Sequence, residues 1–401
     1  MPRPLISIAQ ARESVLAAVR PLGAELVAIE AALGRVLAED VRAAGDVPPF
    51  HSSAMDGYAI EPGDAGRALR VVDEARAGAP ATRALGAGEA IRVSTGAAVP
   101  EGAGAVIAQE NVTAEGDAIR TGRESLVGDH IRQAGEDMRA GSVQLTGGIR
   151  LTAADLGAVV TAGLGRVCVS CRPSVSVLCT GDELRAPGEP LGPGEIHNSN
   201  APMLTGLVAS AGAVAEPALR LPDERRATLE GIEGALQRSD VVILSGGVSV
   251  GPHDHVKPAL AALGVEEVFW SVALQPGKPT WFGVAPGGAL VFGLPGNPVS
   301  AVVTFSLFVA PALAALLGGP APRPPHPAAR LGASVRRNPI RTQAIRVRLE
   351  LGESGLTAFP NGPQGSHILT SLLGADALAM IPRGEGRIDE GDAVALEALA
   401  R

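Results

Sequence analysis

The chain has 401 residues, more than one ordinary hydrophobic core organises, and 46% of them are apolar, so about two to four domains are expected. A formal net charge of −8 excludes nucleic acid or an anionic membrane as the main partner, because either needs a basic surface. Aromatic residues are only 2%, against 51 glycines and 32 prolines, which leaves small aliphatic side chains and many turns to build the fold.

The opening residues, up to Gln10, lack the apolar run of a secretory signal. Ser7 and Gln10 predict a capping box for a helix with Ile8, Val15 and Val19 on one face, stopped near Pro21. From about Ala24 to Gln144, short apolar runs (Leu69–Val72, Ile91–Val93, Ala105–Ala108) are broken by Gly, Asp and Pro and read as β-rich. Leu151 to Leu164 reads as a helix capped by Thr152. Cys168 and Cys171 form a C-x-x-C in strand-and-turn text, not at a helix start. With three cysteines in all, no disulfide framework is indicated, and inert thiols in a reducing cytoplasm are expected.

From Pro173 the text becomes regular. Strands are predicted at Ser174–Cys179, near Val214, at Val241–Leu244, near Val268 and near Leu290. Helices are predicted over Ala201–Ala211, from Pro222 and Asp223 onward, and near Val256–Leu263. Strands alternating with helices imply a doubly wound, mostly parallel sheet, which binds ligands beyond the carboxyl ends of its strands. The apolar stretch Val299 to Leu317 is long enough to span a membrane, but Thr304, Ser306 and Pro311 interrupt it and a buried core helix is expected. Gly318 to Pro327 reads as a stiff linker. Beyond it, Ile345–Leu351, Leu356–Phe359, Ala377–Ile381 and Ala393–Leu396 predict a small C-terminal β domain.

Three Gly-containing loops follow predicted strands: Thr180-Gly181-Asp182-Glu183, the segment Ser245-Gly246-Gly247-Val248-Ser249-Val250-Gly251 with Asp254 beyond it, and Leu294-Pro295-Gly296-Asn297-Pro298. A glycine at a strand end lets backbone approach a phosphate or pterin closely, and Ser245, Ser249 and backbone N–H groups can donate to anion oxygens. None is a Walker loop or a dinucleotide fingerprint. Asp182, Glu183 and Asp254 can hold Mg²⁺ through carboxylate oxygens, or can be solvated surface acids. Lys278, in the Pro-bounded Gln275–Pro279 turn, can meet an oxyanion or face solvent. His253 and His255 flank Asp254 without a third zinc ligand.

Together these motifs resemble the molybdopterin molybdenumtransferases, the MoeA family that includes the gephyrin E domain. Phe50 to Ala59 contains SAMDGYA. In the family's order there follow Ser94-Thr95-Gly96, Gly135-Glu136-Asp137, Thr180 to Leu184, Asn198-Ser199-Asn200, SGGVSVG at Ser245–Gly251, PGKP at Pro276–Pro279, GLPGNPVSA at Gly293–Ala301 and QGSHIL at Gln364–Leu369. The resemblance spans essentially the whole chain. It implies an α/β multidomain subunit: a discontinuous helical segment (1–23 and 145–172), a β-rich domain (24–144), a MoaB/Mog-like doubly wound α/β domain (173–319) and a C-terminal β-barrel (328–401). It also implies a homodimer whose pocket lies between the parallel-sheet domain of one subunit and the β domain of its partner. The implied reaction inserts molybdate into adenylated molybdopterin with Mg²⁺ and releases AMP.

Carried over by position, Asp56, Thr95, Asp137, Glu183, Asp223, Asp254 and Lys278 match functional positions, with Glu183 and Asp254 on Mg²⁺ or the phosphate region. Arg341 and Ser366 match positions that help hold molybdate. Thr180, Gly181, Asp182, Ser245, Gly246, Gly247, Ser249, Gly251, Pro295, Gly296, Asn297 and Pro298 are the substrate-binding candidates. Three positions depart from the family pattern: His51 replaces a usual Asp, and Ser271 and Gln275 stand where many members have lysines. Those departures also fit a low-activity or scaffold paralogue. A molybdopterin adenylyltransferase is the other alternative, since the parallel-sheet domain alone allows it.

Overall fold

The structure, a computed structural model, describes residues 5–247, 254–353 and 355–401. It divides into two compact units. One comprises the N-terminal segment to Glu25, Gly34–Val36 and Ser170–Arg401; the other comprises Leu26–Leu33 and Leu37–Val169.

The first unit is built on a sheet ordered Val214–Ala215, Ser174–Thr180, Val241–Ser245, Leu290–Leu294, Trp281–Val284, Glu266–Trp270, with Leu219–Leu221 also paired to Ser174–Thr180. All neighbours are parallel except around Trp281–Val284, which runs antiparallel to both of its partners. That strand is absent from the sequence prediction. It has four residues, and its Gly283 is required because a Cβ there would lie 2.5 Å from the Glu266 carbonyl oxygen. The central strands are buried on both faces, hence their unbroken apolar text. Side chains alternate between two layers. Val177, Val241 and Ile243 join one core with the helices Ile8–Ala18 and Asn200–Ser210. Leu178, Val242 and Leu244 join the other with Arg225–Arg238 and Val256–Ala262. The predicted Ser7–Gln10 capping box is present. The helix predicted from Pro222 instead starts at Arg225, leaving Asp223 in the turn before it.

The apolar stretch forms one helical run, Pro298–Leu316, 94% buried within the protein, as a core helix should be. Its middle, Phe305–Val309, winds as a π-helix. Pro311 has no N–H to offer the Leu307 carbonyl one turn back. Arg12 fills the gap: its Nε donates to the Leu307 oxygen at 3.3 Å, and its Nη2 pairs with Glu397 at 3.1 Å.

Residues 328–401 carry a closed barrel ordered Thr342–Gly352, Gly355–Pro360, Ala328–Leu331, Ala393–Ala398, Ala377–Ile381 and back to Thr342–Gly352. Ala328–Leu331 is a second strand that the sequence pattern did not predict. The short strand Leu274–Gln275 of the sheet region adds parallel to Thr342–Gln343 and ties the two parts together.

The second unit holds a six-stranded sheet ordered Ala105–Ala108, Gly57–Ile60, Glu89–Val93, Ala68–Ala75, Ala118–Thr121, Val112–Glu115. Its helix Ala153–Thr161 starts at the predicted Thr152 cap, completed by Asp155. Cys168 and Cys171 form no disulfide among the described residues.

Candidate functional site

The three Gly-containing loops converge at the carboxyl ends of the parallel strands around a cavity of about 510 Å³. Thr180, Gly181, Glu183, Asp223, Ser245, Gly246, Gly247, Asp254, Gly296, Asn297 and Pro298 line it. Gly246 has φ +92°, and a Cβ there would sit 2.8 Å from Thr180 Oγ1. A Cβ added to Gly296 would meet the Gly246 Cα at 3.7 Å, so the second and third loops pass each other with room for little more than a methyl group between them. Asn200, at the start of its helix, stitches them. Its Nδ2 donates to Ser245 Oγ at 2.8 Å and to the Gly296 carbonyl at 2.7 Å, while its buried Oδ1 has no partner among the described residues. Sequence reasoning noted the Asn198-Ser199-Asn200 motif but assigned Asn200 no role. The signal was its position opening a helix that follows the first strand. Cys179 also lines the cavity, and burial pushes its thiol up to about 11, so it is inert.

Asp182 and Asp223 lock two turns together. The Asp182 N–H donates to Asp223 Oδ2 at 3.4 Å and the Asp223 N–H to Asp182 Oδ1 at 3.2 Å. Asp182 itself is not on the cavity wall; it holds Asp223 there. Asp254 precedes the helix Val256–Ala262, whose Lys257 ammonium lies 3.6 Å from the centre of the Trp270 ring. Burial lowers the Lys257 pKa, opposed by the charges of Asp254 and Glu267. Ser249, Gly251 and His253 lie outside the described residues. No group of three or more His, Cys, Asp or Glu side chains is placed to hold a metal among the described residues. That is compatible with Mg²⁺, which takes one or two carboxylates and completes its shell with water and substrate phosphate. Glu183 and Asp254 both line the cavity and are the carboxylates such an ion could use.

Pro295 is buried behind its loop. Ser366 does reach the site's edge: its Oγ accepts from Asn297 Nδ2 at 3.1 Å and its carbonyl accepts from the Val299 N–H at 3.2 Å. Lys278 is exposed at the tip of its turn. Neither Lys278 nor Arg341 lines the cavity, but one link connects their segments. Asn338 Nδ2 donates to Gln275 Oε1 at 2.7 Å, and Asn338 Oδ1 accepts from the Arg341 N–H at 3.0 Å. The Arg341 Nε is buried without a partner among the described residues. Ser271 is buried with φ +73°, and Gln275 is committed to Asn338, so neither substitutes for a mobile cation.

In the second unit, the SAMDGYA segment turns from Ser52–Ser53 into strand Gly57–Ile60. Gly57 is obligatory because a Cβ would collide with the Ile107 carbonyl of the paired strand. The turn presents Asp56, whose Oδ1 accepts from Thr95 N at 2.7 Å and Thr95 Oγ1 at 3.0 Å. These bonds, with the charge of Arg92, lower the Asp56 pKa. Ser52–Ser53 pairs with Ile131–Arg132, which brings the Gly135–Asp137 turn alongside; Pro48, Arg132, Glu136 and Asp137 line a second cavity of about 280 Å³. His51 Nδ1 accepts from the Ala134 N–H at 3.2 Å, an acceptor role that a carboxylate at this position could also fill.

A molybdopterin molybdenumtransferase of Haemophilus influenzae is 34% identical over 399 residues, 98% of each chain. This chain belongs to that family. The corresponding protein of Bacillus subtilis is 36% identical over 382 residues, covering 92% of this chain and 88% of its own. Family models match in sequence: the MoeA N-terminal region (domain I and II) over residues 6–163, a probable molybdopterin binding domain over 176–315, and the MoeA C-terminal region (domain IV) over 328–399. The crystal structure of a molybdopterin biosynthesis MoeA protein from Pyrococcus horikoshii superposes with a TM-score of 0.85 at 32% identity, covering 98% of this chain and 99% of that one.

Proposed function

We propose that the protein is a cytoplasmic molybdopterin molybdenumtransferase that inserts molybdate into adenylated molybdopterin and releases AMP. The observation that carries this reading is the cavity where three Gly-containing loops meet Glu183, Asp223 and Asp254, in a chain that belongs to the family over its whole length. In the reaction water cleaves the phosphoanhydride joining AMP to the molybdopterin phosphate, and each molybdenum–sulfur bond formed at the dithiolene replaces a molybdenum–oxygen bond of molybdate, whose oxygen leaves as water or hydroxide. Two anions must be brought together, so positioning and local charge contribute most. Gly246, Gly247 and Gly296 let backbone approach the phosphates, and Ser245 and Thr180 offer hydroxyls. Glu183 and Asp254 would hold Mg²⁺, which would supply positive charge to offset that of the phosphates. Lys278, Arg341 and Ser366 serve the molybdate side. Asp56, Thr95 and Asp137 complete the site from the partner protomer of a homodimer.

The test incubates pure protein with adenylated molybdopterin, molybdate and Mg²⁺, following AMP release and molybdenum bound to the pterin. Both should rise together and depend on molybdate. Accumulation of adenylated molybdopterin from ATP and molybdopterin would instead identify an adenylyltransferase. Folded protein inert in both assays would point to a scaffold.

A further inference from the structure

Arg346 is 1% exposed on the strand Thr342–Gly352, on the face opposite the Ile345 and Val347 side chains that fill the C-terminal barrel, and no carboxylate pairs with it among the described residues. A buried guanidinium without a counter-ion is costly, and burial alone lowers its pKa to about 10. Its donors instead gather one loop. Nε and Nη2 reach Ser371 Oγ at 3.1 and 3.0 Å, and Nη2 reaches the Gly365 carbonyl at 3.3 Å and that of Pro363 at 3.5 Å. Ser371 Oγ donates onward to the Ile368 carbonyl at 2.7 Å. Gln364 closes the grip from both sides: its Oε1 accepts from the Arg346 N–H at 3.0 Å and its Nε2 donates to the Arg346 carbonyl at 3.2 Å.

The residue this cage frames is Ser366, which sits between Gly365 and the Ile368 turn. Ser366 meets the other side of the site through Asn297 Nδ2 and the Val299 N–H. Val299 lies in the first turn of the core helix, where N–H groups have no intrahelical acceptor. The barrel therefore caps the helix that springs from the third cavity loop, and the cap's position depends on one buried cation.

We infer that Arg346 is a positioning residue that sets Ser366 against Asn297, and through it the oxyanion side of the cavity. The inference rests on the proposed molybdenum-insertion reading for its kinetic consequence, but not for its structural one. A lysine at 346 can keep the charge but cannot bond Ser371 and the two carbonyls together.

The experiment compares wild type, Arg346→Lys, Ser366→Ala and the double variant by two readouts. In hydrogen exchange, Arg346→Lys should speed exchange of the Val299 amide at least tenfold while core-strand amides at 241–245 stay unchanged; an order of magnitude is the scale of coupling between groups in one network. In turnover assays, Arg346→Lys should raise the molybdate KM about tenfold while leaving the KM for adenylated molybdopterin within about twofold, and the double variant should be no worse than Ser366→Ala alone. Unchanged Val299 exchange, equal rises in both KM values, or additive effects in the double variant would each overturn the positioning role. If wild type itself fails to turn over, the functional reading fails while hydrogen exchange still decides the role of Arg346.

Discussion

At the scale of single residues, the smaller unit sets Asp56 apart from an ordinary surface carboxylate. Two bonds from Thr95 favour its ionised form. A depressed pKa keeps the group charged as pH falls, until pH passes below 3.8. In ¹³C NMR titrations the Asp56 carboxyl should therefore show a midpoint below 3.8, and Thr95→Ala, which deletes the hydroxyl donor but keeps the N–H, should move it upward. A midpoint that ignores the substitution would remove Thr95 as the cause. In the larger unit, Gly246 combines a left-handed backbone with a Cβ position 2.8 Å from Thr180 Oγ1. Gly246→Ala should cost roughly 1–3 kcal/mol of stability by chemical denaturation and weaken AMP binding by calorimetry. A variant as stable as wild type would show that this loop tolerates a side chain.

At the scale of elements, the core helix shows how one proline recruits a distant arginine. Pro311 leaves the Leu307 carbonyl without its helical donor, and Arg12, on the first helix, takes its place. Arg12→Met should destabilise the protein by about 1–3 kcal/mol, the cost of an unsatisfied buried carbonyl. Glu397→Gln, which removes only the part-exposed ion pair, should cost under about 1 kcal/mol. The decisive comparison is Arg12→Met in a Pro311→Ala background. There the restored N–H can serve Leu307, so the arginine substitution should cost measurably less than in wild type. Equal penalties in both backgrounds would mean that Arg12 stabilises by packing alone.

At the scale of the whole molecule, the proposed function assigns Asp56 and Asp254 to one site shared by two protomers. In a homodimer with shared sites, mixing Asp56→Asn protomers with Asp254→Asn protomers should restore roughly a quarter of wild-type turnover, because half of the dimers are mixed and each has one intact site. No recovery, with mixed dimers verified by native mass spectrometry, would place all the acids of a site on one protomer. Mg²⁺ belongs to the same scale. Chelation should abolish turnover and leave the thermal midpoint unchanged, since no cluster of three ligating side chains ties the fold to a metal among the described residues.

Much of this was written locally. The Ser7–Gln10 and Thr152–Asp155 caps, the alternation of strands with helices and the apolar core helix depend on neighbours a few residues away, so hydrophobic period and turn chemistry reveal them. The three loops could be chosen as site candidates because together they set glycines, hydroxyls and acids at the carboxyl ends of one parallel sheet, where ligands bind. What sequence alone could not supply came from contacts between distant segments. The strands Trp281–Val284 and Ala328–Leu331 are too short to carry a period, and only their sheet partners define them. Asn200 is one polar residue among many until Ser245 and Gly296 stand against it, and Arg346 reads as a surface cation until the loop carrying Gly365 and Ser371 folds over it. Local free energies favour helices, turns and caps one segment at a time. Which polar groups end up buried together is decided only when the chain packs, because the cost of desolvating each depends on the partners it then finds.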